Sequence, residues 1–170
     1  ENKINDREEI TNNNNKIVNK IKFSKHGKEN IDHITQGVVL ELFKNPKFTL
    51  ICGELMKLVY FNPAVPGNVT WNIAYPKNSN AGVVYVPEDD QFERTSTREI
   101  IDDKFCNMID LLVPLVRSIH QNTELYESLS DMQQVNIVRF FHHFKMFQIS
   151  VESPEIYEAL HKLCYEQRYI

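Results

Sequence analysis

The residue types best suited to chemistry stand in three places. His142 and His143 are adjacent, Asp102 and Asp103 are adjacent, and three cysteines lie far apart at positions 52, 106 and 164. Two neutral imidazoles can hold a transition metal, here with His120 or His161 as a further ligand. Helical ligands meet at i, i+3 or i, i+4, however, and neighbours at i, i+1 point about 100° apart. The same geometry separates Asp102 from Asp103. Early in a helix, adjacent carboxylates complement the positive end of the helix dipole. Cys52, set in Leu50-Ile51-Cys52-Gly53, reads as core filling, because no basic surroundings lower its pKa. No CxxC pair exists to hold zinc, so all three thiols are expected reduced and in the core. With five glycines there is no GxGxxG or GxxxxGK[ST] loop, and no serine-hydrolase or kinase signature is present. The expectation is a protein that is not an enzyme, with no catalytic residue, cofactor, metal or small-molecule substrate. A nuclease or hydrolase using Asp102 or His142 is the third alternative.

Binding chemistry is the other resource. Phe140, Phe141, Phe144 and Phe147 place four Phe within eight residues. Such a helix is either enclosed or meets another chain, which makes these four the candidate partner-binding residues. The partner is a second copy or another protein chain. Lys16, Lys20, Lys22, Lys25 and Lys28 form a basic stretch with Trp71 as a candidate base-stacking residue, so direct nucleic-acid binding is the alternative function. Residues 1–30 hold seven Lys or Arg against five Asp or Glu, while the remainder carries a net charge of −6 and the whole chain −4. A broadly basic, phosphate-coating surface is thereby excluded. The longest apolar runs fall well short of the ~20 residues of a membrane span, and no secretory signal is visible. A chain of 170 residues, 42% hydrophobic, has material for one core. An intracellular location fits. Glu1 is not Met, so a further N-terminal module can precede it.

These residues need elements to hold them. Residues 1–22, with the run Asn12–Asn15, read as a polar leader or linker, although Ile10, Ile17 and Ile21 recur at spacings of seven and four. Residues 23–170 read as one α+β domain. Within it, 23–95 form a helical hairpin plus a small antiparallel sheet of two to three strands, and 96–170 form a C-terminal set of about three helices. Asn30 is the expected cap of a first helix from Ile31, with Ile31, Ile34, Val38 and Leu42 as its stripe, ending at Asn45-Pro46. A second helix, Leu50 to Phe61 with Thr49 as cap, carries Leu50, Leu55, Leu58 and Val59. Its face lacks the polar residues of a DNA-reading helix-turn-helix. Asn62 to Asn68, with Pro63 and Pro66, is a rigid turn. Trp71, Ile73 and Tyr75 alternate as a strand, 82–86 answers it, and 91–93 adds a short third.

The last 75 residues read as helix. Ser96 and Glu99 form a capping box, and Pro114 should kink or break the helix that follows. The next helix starts at Ser130 or Asp131, with Val135, Val138, Phe141, Phe144 and Phe147 as its apolar set. Pro154 opens the last helix.

The pattern Phe23, Gly27-Lys28-Glu29, Ile31 and Ile34, then Phe61-Asn62-Pro63-Ala64-Val65-Pro66-Gly67-Asn68, Val84-Tyr85, Phe92 and Glu99-Ile100-Ile101 resembles a recurrent domain of giant viruses, the mimivirus-like large DNA viruses. There the domain forms the C-terminal part of proteins that often carry an N-terminal zinc finger or another DNA-associated module. The match spans roughly residues 22–112. This chain departs from the pattern at Gly67, where the family has Glu, and at Phe92, where it has Trp. The resemblance implies a viral protein-interaction, assembly or regulatory domain, located in the infected cell's virus factory or in the virion. It brings no catalytic residues, and with the finger cysteines absent no zinc site carries over.

Overall fold

The computed structural model describes residues 23–73, 82–86, 89–146 and 153–167. The leader 1–22, with Lys16, Lys20 and Lys22, lies outside these residues, as do Phe147, Tyr75 and the loop at 77–80. Within them the chain is α+β, with six α-helices and one small antiparallel sheet.

Helix α1 covers Gln36–Leu42 and starts later than Asn30 would place it. The Asn30 backbone is engaged elsewhere: Asn68 Oδ1 accepts its N–H at 2.9 Å, and Asn68 Nδ2 donates to its carbonyl at 2.8 Å. Residues 31–34 close only a turn, and Thr35 becomes the cap, accepting from the Val38 N–H. Helix α2 covers Phe48–Tyr60. It begins ahead of Thr49 because Phe48 is drawn into the core, and Leu50, expected on the buried stripe, is 51% exposed. Ile51, Cys52, Leu55, Met56 and Val59 carry that face instead.

A short 3-10 turn at Pro66–Asn68 leads into the sheet. Strands β1 (Trp71–Ile73), β2 (Gly82–Val86) and β3 (Gln91–Thr95) pair in sequence order. Trp71 faces Val84 across β1–β2, and Tyr85 faces Phe92 across β2–β3. Side chains alternate faces along a strand. Trp71, Ile73, Val84 and Glu93 therefore share the inner face, and Val83, Tyr85, Phe92 and Arg94 the outer one. Trp71 packs edge-on against Tyr60 and Phe61 of the α2 end, at 5.8 and 5.3 Å between ring centres.

Helix α3, Thr97–Gln121, is the axis of the domain. Its capping box is complete: Ser96 Oγ accepts from Glu99 N at 3.1 Å, and Ser96 N donates to Glu99 Oε2 at 3.1 Å. The Thr95 hydroxyl and Ser96 hold the Glu99 carboxyl below its ordinary pKa. Pro114 leaves the helix unbroken. It lies on the exposed side, and so does Asp110, whose carbonyl it deprives of a partner, so water can serve that carbonyl. Ile100, Ile101, Phe105, Met108, Leu112, Val116 and Ile119 line the buried face. At roughly 1.5 Å per residue, this helix is long enough to contact every other layer; it packs on α1, α2, α4, α5, α6 and β2.

Helix α4 (Thr123–Ser128), capped by Asn122, has no counterpart in the sequence reading. Helix α5 covers Asp131–Met146, with Ser130 and Gln133 capping reciprocally. Helix α6, Pro154–Gln167, opens on its proline as expected and packs on α2 through Ile156, Leu160, Leu163 and Cys164.

The buried stripe of α5 differs from the expected one. Gln133, Asn136, Ile137 and Phe140 are buried, at helical spacing, while Val135 and Val138 are 43% and 57% exposed. Two amides displace two valines because they have backbone to serve. Asn136 Nδ2 donates to the carbonyls of Phe43 and Asn45, both at 2.8 Å, and Gln133 Nε2 donates to that of Leu40 at 2.9 Å. Together they cap the C-terminal end of α1 and the turn into α2, whose carbonyls would otherwise be unpaired in the interior.

Candidate interaction surface

The structure distributes the chemistry-bearing residues among separate tasks. Asp102 accepts from Arg98 Nε at 2.8 Å, and the Arg98 guanidinium lies 4.1 Å over the Tyr157 ring, which ties α3 to α6. Asp103 points elsewhere, towards His26 and Lys104. His143 stacks on Phe48 at 4.8 Å, nearly parallel; burial, and secondarily the neighbouring His142, pull its pKa from 6.5 down to about 4. His142 is exposed. Among the described residues no group of three or more His, Cys, Asp or Glu could hold a metal ion. Burial pushes the Cys52 thiol far above its ordinary range, Cys164 up to about 12 and Cys106 up to about 11. Cys52 and Cys164 are core thiols, whereas Cys106 is only half-buried, not wholly interior as expected.

Two of the candidate binding residues are spent on the interior. Phe140 has no exposed surface and packs on Phe43, so it cannot meet a partner. Trp71 is 4% exposed, so it cannot stack on a base. Phe141 is half-buried against His120. The Phe144 side chain lies outside the described ones. Lys25 and Lys28 are exposed, on the segment that enters the domain.

That segment, 23–30, joins two features that the sequence reading did not find. The first is aromatic and open. Phe23 packs on Tyr85 and Phe92, at 4.8 and 5.9 Å between ring centres, and Tyr85 on Phe92 at 5.5 Å. The trio lies on the outer sheet face beside Arg94, with Phe92 half exposed. The alternation of β3, with Phe92 in phase with Tyr85, was legible. Its pairing with Phe23, sixty-nine positions earlier, was not.

The second is polar and closed. Lys104 is 2% exposed and Glu29 5%. Lys104 Nζ lies 3.1 Å from His26 Nδ1 and 3.3 Å from Asp103 Oδ2. An ammonium only donates, so His26 Nδ1 accepts and its proton sits on Nε2. Asp103 Oδ2 lies 3.5 Å from the same Nδ1. Nearby, Tyr60 donates to the Lys104 carbonyl at 3.1 Å and accepts from Asn107 Nδ2 at 2.7 Å. Burial, and after it the charge of Glu29, raise the Tyr60 pKa well above its usual value. Among the described residues neither carboxyl oxygen of Glu29 has a hydrogen-bond partner. The available signal was Lys104 itself, in helical phase with Ile100, Ile101 and Met108.

Between β2, β3 and the start of α3 lies an open cavity of about 330 Å³, floored by Val84, Val86 and Ile100 and rimmed by Glu93, Arg94, Glu99 and Asp103. Among the described residues no helix is long and apolar enough to cross a membrane. No family model, no curated protein and no solved structure matches the chain.

Proposed function

We propose that this chain is a non-catalytic interaction domain of a large DNA virus, serving assembly or regulation inside the infected cell, and that its contact surface is the outer face of the sheet. The lineage part rests on the resemblance carried by residues 22–112. The surface part rests on one observation: Phe92 is half exposed within an aromatic trio on an open sheet face. Exposed aromatic clusters of this kind anchor protein interfaces, where aromatic side chains supply much of the binding energy. The partner is another protein chain, either a second copy or a viral or host protein.

Sedimentation and cross-linking in infected cells test this reading. The expected result is an assembly, or a defined partner cross-linked to Phe92's face, that Phe92→Ser abolishes while the domain stays folded with a loss of about 1–2 kcal/mol. A strict monomer with no cross-link on that face overturns it.

Direct nucleic-acid binding is the second reading. It is favoured by the exposure of Lys25 and Lys28 next to Phe23 and Phe92, and by Lys16, Lys20 and Lys22 just before them. Phe92 replaces the buried Trp71 as the stacking residue. This reading predicts affinity for single-stranded DNA or RNA that falls steeply with salt. An electrophoretic shift absent even at low salt removes it.

A further inference from the structure

We propose that residues 23–30 form a releasable strap, which lifts from the folded domain as a unit and uncovers Tyr85 and Phe92, with the orphaned Glu29 carboxyl setting how readily it lifts. This concerns regulation of the surface in the function proposed above, and it rests on that reading only for the purpose of the motion, not for the motion itself.

The strap has no helix or strand of its own. It turns at Gly27, whose φ of +73° is one that L side chains rarely adopt. Few groups fix it. Ser24 N donates to the Gly67 carbonyl at 2.8 Å. Asn68 is the main fastener: its Oδ1 accepts from Ser24 Oγ and from Asn30 N, both at 2.9 Å, and its Nδ2 bridges the carbonyls of Asn30 and Val59, both at 2.8 Å. Lys104 holds His26, and Phe23 lies on Tyr85 and Phe92. All of these partners lie outside the strap, on α2, its following turn, the sheet and α3.

Glu29 works against this fastening. Docking takes its carboxyl group out of water and gives both oxygens no hydrogen bond in return. Lifting returns them to water, so the docked state carries a penalty that the lifted state lacks. Lys104 gives no relief through a hydrogen bond, since its ammonium reaches His26 and Asp103 instead. A coil segment that carries an uncompensated polar group opens locally, below the free energy of global unfolding. Because Phe23 rides on the strap, each opening bares the aromatic pair beneath it.

Native-state hydrogen exchange on the full chain, without any partner, tests the strap separately from the interaction reading. The amides of Ser24, Lys28 and Asn30 are expected to exchange through an opening insensitive to low denaturant, while interior α3 amides follow global unfolding. Glu29→Met is expected to slow strap exchange by about tenfold. Asn136→Ala, which weakens the domain far from the strap, is expected to speed α3 exchange and leave strap exchange unchanged. Ile137→Val serves the same purpose if that variant does not fold. Strap exchange that accelerates in step with α3 in these variants, or that Glu29→Met leaves unslowed, overturns the proposal.

Discussion

Asn68 and Asn136 are both buried asparagines that fasten a connecting segment, and their surroundings make them unequal. Asn136, with no exposed surface, gives both amide protons to the turn between α1 and α2, and its oxygen accepts from Arg139 at 3.3 Å. Phe43, Ile137 and Phe140 beside it are fully buried and apolar. Asn68 also fills its hydrogen bonds, but the segment it fastens carries Glu29 into the interior unpaired. The same amide chemistry yields a static joint in one place and a loosened one in the other. The difference lies in what travels with the fastened segment.

Breaking the static joint should cost most. Asn136→Ala strands the buried Phe43 carbonyl and unpairs the part-buried carbonyl of Asn45, and should remove roughly 2–4 kcal/mol. Urea unfolding followed by the fluorescence of the single Trp71, buried against α2, measures it directly. Asn68→Ala should cost less, about 1–3 kcal/mol, because the strap groups can lift and rehydrate, which leaves the Val59 carbonyl as the acceptor stranded in the interior. A larger loss at Asn68 than at Asn136 would reverse the comparison.

Acid should weaken the α5 side through His143. Its folded pKa of about 4 lies below the ordinary 6.5, so the native state binds fewer protons than the unfolded state between those values. The contribution is complete above pH 6.5 and is lost as pH falls towards 4. In His143→Phe, which keeps a ring against Phe48, the unfolding midpoint should depend less on pH across that window. The smallest effect belongs to Val138→Ser on the exposed face of α5, within about 0.5 kcal/mol by the same urea assay. A loss well above that would show the face to be covered in solution.

Local signals were legible where the physics is local. The Ser96–Glu99 capping box, Pro154 at a helix start and the alternation around Trp71 each depend on neighbours within a few residues, and each appears where the sequence places it. Several of the errors share a cause, which is a distant partner. Asn30 does not cap a helix because Asn68 takes its backbone. Val135 and Val138 are exposed because Gln133 and Asn136 are needed for carbonyls about ninety residues earlier. Phe140 is lost as a surface residue for the same reason, since turning the amides inward turns it inward too. Pairings such as Tyr60 with Lys104, or His26 with Lys104, leave no periodic trace. An amide or ammonium in phase with an apolar stripe is the one mark they leave.

The Asn136 joint also bears on how the domain comes into being on the ribosome. Its two acceptors, at Phe43 and Asn45, are synthesised more than ninety residues before their donor. Until α5 emerges, the corner between α1 and α2 must leave those carbonyls in contact with water. The N-terminal half therefore cannot close its interior during translation. Its final burial awaits a residue made some ninety positions later, which leaves a long interval in which nascent apolar surface is open to chaperones.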